Sequence, residues 1–378
     1  MQGISHRHLS DHLSELVEKT LEELAENKCI SVEEDSVSAL NFGMIASYYY
    51  INYRTIQTFS LSLKPRTRLQ VLLDIVTGAV EFENVPIRHH EDAILSKIHD
   101  QLPRRYPDPN FNDPHFKACI LLQAHFSRFQ LPPDLASDQK LILSKVIRLI
   151  QACVDVIQQN GWLSPALSAM ELSQMCVQAI WDKDSPLKQI PHFDDAIVDR
   201  LTALEVEQVP DLMEMDAKQR TEALQLDKSY MRDVVKYVNR FPSIEVELSL
   251  ADPKVAQGDT ATLVVNLERE IDEDEVVGPV IAPYFPGKKE EGWWLVVGEP
   301  ETKTLLAVRR ITLQQRQTVN LAFDVPESKL GPLSCKLYLM CDSYMGADQE
   351  FGKFFVDLNH ANCIDFEVDV QPGEMEED

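Results

Sequence analysis

No GxxxxGK(S/T) phosphate loop, no GxGxxG after a strand, no DExH or DExD box and no GxSxG elbow occurs in the 378 residues. Nucleotide hydrolysis, dinucleotide binding and serine acyl transfer therefore have no place to sit on this chain, and no cofactor is expected. Cysteine is sparse and unpaired. The seven residues at 29, 119, 153, 176, 335, 341 and 363 are odd in number and contain no CxxC spacing, which points away from a zinc site or a disulfide framework and toward a reducing compartment. Cys335 and Cys341, if they share a strand, stand roughly 20 Å apart, too far to bridge. Long apolar runs are also missing: the most apolar stretch, 141–157, is broken by Lys145, Arg148, Gln151 and Asp155, and the first residues hold no secretory core. No membrane association is expected.

Positive charge is the other shortage. Lys and Arg number 36 against 61 Asp and Glu, for a formal charge of −25. The imbalance is uneven, with 17 basic against 23 acidic residues through position 186 and 19 against 38 after it. The C-terminal half is thus a poor surface for wrapping RNA.

At this length two or three domains are expected. From Ser10 the apolar positions Leu13, Leu16, Val17, Leu21 and Leu24 fall at helical spacing, capped by Ser10 or Asp11. A helical run follows from Gly43, and shorter helices are predicted at 56–63, 67–77 and 91–101. Asn112-Asp113-Pro114 writes a helix start, with Asp113 as cap and proline in the first turn, for a run ending near Phe129. Ser164-Pro165 does the same. Between them Asp138 opens a helix apolar on nearly every face and stopped at Asn160-Gly161, which predicts the central helix of a bundle. Small helices are expected at 194–204, 211–215, 217–224 and 227–239.

From Ile244 the period changes to two. IEVELSL, TATLVVNLERE, VIAPYF, WWLVVG, KTLLAVRR, QTVNLAFDV, LSCKLYLMCD and KFFVDL read as seven or eight strands of a β-sandwich. The fold class is therefore multidomain, α then β. The acidic tail after Pro372 reads as disordered.

Candidate sites are few. His6, His8 and His12, and the run Arg88-His89-His90-Glu91-Asp92, read as polar helix entrances, with Glu91 and Asp92 facing a helix N-terminus. The run Asp272–Glu275 lacks the spaced ligands and glycine of a calcium loop and reads as a solvated hairpin. Trp293 and Trp294 are neighbours on a strand, so one indole is expected in the core and the other outside, as a candidate partner contact.

Several long segments carry a resemblance: HRHLSDHLSELVE from His6, LNFGMIASYYYINY from Leu40, PIRHHED from Pro86, LSKVIRLIQACVDV from Leu143, NGWLSPALSAMEL from Asn160, GPVIAPYFPGKKEEGWW from Gly278 and YMGADQE from Tyr344. Together they resemble the C-terminal region of the large DExH-box helicases of the U-five small nuclear ribonucleoprotein, closest to the second of two helicase cassettes. The resemblance implies a Sec-sixty-three-type unit: the end of a winged-helix domain at 1–39, a helical bundle at 40–186, a small helix-loop-helix domain at 187–241, an immunoglobulin-like β-sandwich at 242–370 and an acidic tail at 371–378. Such a start implies a piece of a longer polypeptide. It further implies a nuclear location, splicing proteins and the parent's helicase cassettes as partners, and a regulatory unit with no catalysis of its own.

In the active cassette of such helicases the central bundle helix works as a ratchet on RNA, and its counterpart here carries Arg148. That makes a single-stranded RNA guide the competing reading. The turn Ala223-Leu224-Gln225-Leu226-Asp227 lacks the glycines that let backbone amides approach phosphate, and Arg66, Arg68, Arg88, Arg104 and Arg105 are scattered among acids, so weak or no RNA binding is expected from the chain alone. For Arg148 the plainer expectation is a reach to a carboxylate at the bundle edge.

Overall fold

The computed structural model describes residues 6–33, 36–252, 255, 258–271, 276–326 and 333–356, with side chains described from Ser10 to Gly352 within those bounds. The 272–275 run, the side chains of His6 and His8, and the tail lie outside the described residues.

Helix α1 (His6–Glu26) leads into a hairpin of β1 (Ile30–Glu33) and β2 (Ser36–Ala39). The hairpin is pressed on α2 (Asn41–Tyr49) at Gly43, where an added Cβ would lie 2.1 Å from the Cys29 carbonyl oxygen. Only glycine permits that approach. The bundle continues through α3 (Tyr53–Ser62), α4 (Leu69–Thr77), α5 (Asp92–His99), α6 (Pro114–Phe126), α7 (Pro133–Gln159) and α8 (Leu163–Gln178). At α6 the written signal operates as expected: Asp113 Oδ1 accepts from His115 N at 3.0 Å and Pro114 sits in the first turn.

Helix α7 is the hub, with α2, α3, α4, α6 and α8 packed on it. It differs from expectation in two ways. It begins five residues before Asp138, at Pro133, because proline serves the first turn of a helix as well as a capping side chain does. It is enclosed all round only over residues 149–154 and 156–157, while Ser137, Lys140, Leu141, Ser144 and Arg148 form an exposed stripe along its first half.

Four short helices follow: α9 (Asp195–Thr202), capped by Asp194 accepting from Ile197 N at 2.9 Å, then α10 (Val209–Glu214), α11 (Ala217–Leu224) and α12 (Lys228–Arg240). Strands β3 (Ile244–Leu250), β4 (Thr260–Arg269) and β7 (Arg316–Asp324) form one antiparallel sheet in the order β3-β4-β7. Strands β5 (Trp293–Glu299), β6 (Thr304–Ile311), β8 (Leu333–Cys341) and β9 (Gln349–Val356) form a second, ordered β6-β5-β8-β9. VIAPYF, expected as a strand, is a loop held to the segment between β8 and β9, with Ile281 N donating to Tyr344 Oη at 3.1 Å. Pro279, Pro283 and Pro286 supply no N–H, so a ladder cannot run through it.

The apolar interior forms two clusters. One is the bundle core, joined by Trp294, Val296, Leu305, Tyr338 and Met345 from the second sheet and its loops. The other joins α9–α12 to the facing sides of both sheets, including Trp293, Leu295, Val297, Val265 and Leu321. Strand β5 is consequently buried at every residue. Its five successive apolar residues, Trp293 to Val297, are the sequence mark of a strand covered on both faces. Among the described residues no helix is long and apolar enough to cross a membrane.

Candidate functional site

Trp293 and Trp294 do point to opposite faces, but neither is outside: they are 1% and 2% exposed. Trp293 enters the cluster between the sheets and donates from Nε1 to Glu291 at 2.6 Å, while Trp294 enters the bundle core. The expectation of one exposed indole for a partner contact is overturned. The face that β5 would show to solvent in an isolated sandwich is covered here by helices.

The seam between bundle and sheet is built by α8. Ser173 Oγ donates to Asp342 O at 2.9 Å, Gln174 Nε2 to Cys341 O at 2.8 Å, and Gln178 Nε2 to Ser343 O at 2.8 Å. At the head of the helix Leu163 N donates to Lys303 O and Leu305 N to Gly161 O, and Leu163 fills the space left by Gly298, where a Cβ would stand 2.7 Å from its methyls. Gln189 closes the far end by exchanging two hydrogen bonds with the Met345 backbone. Beneath the seam the buried Asp342 accepts from Gly292 N at 2.9 Å, Lys289 Nζ at 2.7 Å and Arg310 Nη2 at 3.1 Å. Arg310 also lies 5.6 Å above the Trp294 ring. Sequence reading missed this seam, because Ser173, Gln174 and Gln178 share α8 with Ser164, Ser168 and Glu171 and nothing in the spacing singles them out.

Asp348 accepts from Gln174 Nε2 at 2.8 Å and from Cys341 N at 2.6 Å. Burial pushes its carboxyl up to about 7 in spite of those donors, and Glu171 is likewise raised to about 7 by burial and by the charges of Asp182 and Asp348. Unfolded carboxyls release the proton near pH 4. The folded chain therefore holds extra protons between about pH 4 and 7, and stability falls as pH rises through that window. Thermal melts between pH 5 and 8 should show this decline, and Asp348→Asn should flatten it; an unchanged slope would remove Asp348 from the account.

A second polar centre lies inside the bundle. Lys117 is fully buried and donates to Glu91 Oε2 at 2.6 Å, Asp138 Oδ2 at 2.7 Å and the Pro86 carbonyl at 2.5 Å, while Arg88 grips Asp138 through both terminal nitrogens and Glu91 through one. Glu91 thus does not serve α5 by capping, as expected; its side chain makes no cap hydrogen bond and answers two cations. His89 and His90 are exposed. No group of three or more metal-ligating side chains gathers among the described residues.

Arg148 is exposed on the α7 stripe and forms no ion pair or hydrogen bond among the described residues, so the expected carboxylate partner is not met. In the turn after α11, Gln225 adopts φ 51° and caps the helix through its N–H to Thr221 O. A residue with a Cβ here takes the left-handed position that glycine favours.

Residues 39–352 match the Sec63 Brl domain family, and residues 1–34 a winged helix-turn-helix domain. The chain is 53% identical over 365 residues to the U5 small nuclear ribonucleoprotein 200 kDa helicase of Drosophila melanogaster, covering 95% of this chain and 17% of that protein. The Homo sapiens protein of the same name is 53% identical over 363 residues, at 96% and 17% coverage, and the pre-mRNA-splicing factor brr2 of Schizosaccharomyces pombe 47% over 354 residues, at 93% and 16%. The chain thus spans about one sixth of the length of these relatives. The match over residues 39–352 covers the whole bundle, the small helices, the α8 seam and nearly all of both sheets, and on it the chain belongs to the Sec63 Brl domain family.

Proposed function

We propose that this chain is a non-catalytic protein-interaction and regulatory unit of a nuclear, spliceosomal, ATP-dependent RNA helicase, one that unwinds the U-four/U-six duplex. In this reading it is the C-terminal unit of the second cassette and needs no cofactor. The observation that carries the reading is 53% identity sustained over 95% of the chain to a relative named as a helicase of the U5 small nuclear ribonucleoprotein. The parts would be a winged-helix end at 1–39, a helical bundle at 40–186, a helix-loop-helix domain at 187–241, an immunoglobulin-like sandwich at 242–370 and an acidic tail at 371–378. Support for the sandwich comes from two antiparallel sheets of three and four strands that share one apolar interior, with β6 and β7 consecutive in the chain but in different sheets. Used as bait in nuclear extract, the chain should retain spliceosomal proteins, and on its own it should hydrolyse no ATP above buffer. Failure to retain any, or hydrolysis abolished by a point change within the chain, refutes the proposal.

One observation favours the RNA-guide reading: Arg148 is exposed and has no partner among the described residues. A single guanidinium is little for a strand whose affinity is largely electrostatic, and the formal charge of −25 opposes it. Fluorescence anisotropy with a labelled oligonucleotide should give no binding tighter than roughly 10⁻⁵ M at physiological salt. Sub-micromolar binding that weakens about tenfold in Arg148→Ala would restore the guide.

A further inference from the structure

From Ser36 to Leu73 the chain carries no aspartate or glutamate, and its four cations there are Arg54, Lys64, Arg66 and Arg68. Arg54 is paired with Glu83 at 2.8 Å. The other three are exposed and make no ion pair among the described residues. They share one stiff turn between α3 and α4. Thr67 N donates to Lys64 O at 3.1 Å, Thr67 Oγ1 accepts from Lys64 N at 2.7 Å, and Pro65 occupies the second position of the turn, where its fixed φ belongs.

Tertiary structure adds a fourth cation. Arg104, on the loop after α5, donates to the Gln70 carbonyl and to Asp74, which fastens that loop two residues past Arg68 and leaves Arg105 exposed and without an ion pair among the described residues. Residues scattered along the sequence thus gather at one end of the bundle. Two aliphatic side chains flank them: Leu61, 68% exposed, and Val71, 44% exposed.

We infer that this face docks an acidic segment of a partner protein, one that carries aliphatic side chains among its carboxylates. The inference deepens the interaction-unit reading and rests on it. Charge complementarity selects an anionic partner, because four cations without counter-charges among the described residues, in a protein of −25, attract locally what the molecule as a whole repels. The flanking Leu61 and Val71 select a protein over a nucleic acid, since apolar area gains by meeting apolar side chains and offers nothing to phosphate. A strand of RNA would use aromatic platforms, and Tyr106, on the same loop, is already engaged by Asp74 and by Arg104, 4.8 Å from its ring.

The test uses the full chain and a short labelled peptide alternating Glu and Leu, read by fluorescence anisotropy. We expect saturable binding that weakens with salt, falls roughly tenfold or more when Lys64, Arg66 and Arg68 are all changed to Glu, and falls about fivefold in Leu61→Ser with Val71→Ser. Melting of the variants should match the parent, because every altered side chain is exposed. Absence of peptide binding, or binding indifferent to charge reversal, overturns the proposal. So does a uridine oligonucleotide that binds more tightly than the peptide through the same cations. Used as bait, the triple variant keeps the two readings apart: undiminished capture of spliceosomal proteins, with no peptide bound by the parent, removes this surface and leaves the interaction unit standing.

Discussion

Trp294→Ala is expected to destabilise the chain by about 3–5 kcal/mol, as much as Trp293→Ala, although the two indoles lie on opposite faces of one strand. Each change empties a fully enclosed space: one in the bundle core beside Val296 and Tyr338, the other between the two sheets beside Leu295 and Val297. Trp294→Ala also takes away the ring beneath Arg310, a residue that answers the buried Asp342. Urea denaturation followed by circular dichroism checks both variants. A Trp294→Ala chain as stable as the parent would mean that helices do not cover that face of β5, and the account of the seam would fail with it.

Lys117→Met should cost a similar amount, about 3–5 kcal/mol, because it leaves the carboxylates of Glu91 and Asp138 buried with Arg88 alone to answer them. Desolvation in this pocket pushes both carboxyls up, but hydrogen bonds from Lys117 and Arg88 outweigh it and hold both below the ordinary range. A depressed carboxyl contributes stability above its unfolded value, near pH 4, and loses that contribution as pH falls through the folded value. Acid titration of the parent should therefore show resistance down to about pH 4, and Lys117→Met should lose stability at higher pH. Adding Glu91→Gln and Asp138→Asn to Lys117→Met should recover part of the loss, since neutral amides need no counter-charge. If the single variant melted with the parent, the cluster would contribute nothing to the fold.

The pattern of residues alone determined a great deal here. Asp113-Pro114 set the start of α6 because a cap and a proline act on the nearest turn and need no distant partner. The change of period at Ile244 marked the passage from helices to strands, because side-chain alternation is a property of the local backbone. Long segments of resemblance carried the family. Tertiary structure decided whatever depends on what lies opposite. Periodicity placed Trp293 and Trp294 on two faces, but only the packing of α8 on the second sheet decided that both faces are inside. Glu91 read as a cap from its position before α5 and became the partner of a lysine 26 residues away. Arg66, Arg68, Arg104 and Arg105 read as scattered, and the Arg104 bond to Gln70 O gathers them. Burial and counter-charge are properties of neighbours in space, and sequence spacing reports such neighbours only within a turn of helix or a step of strand.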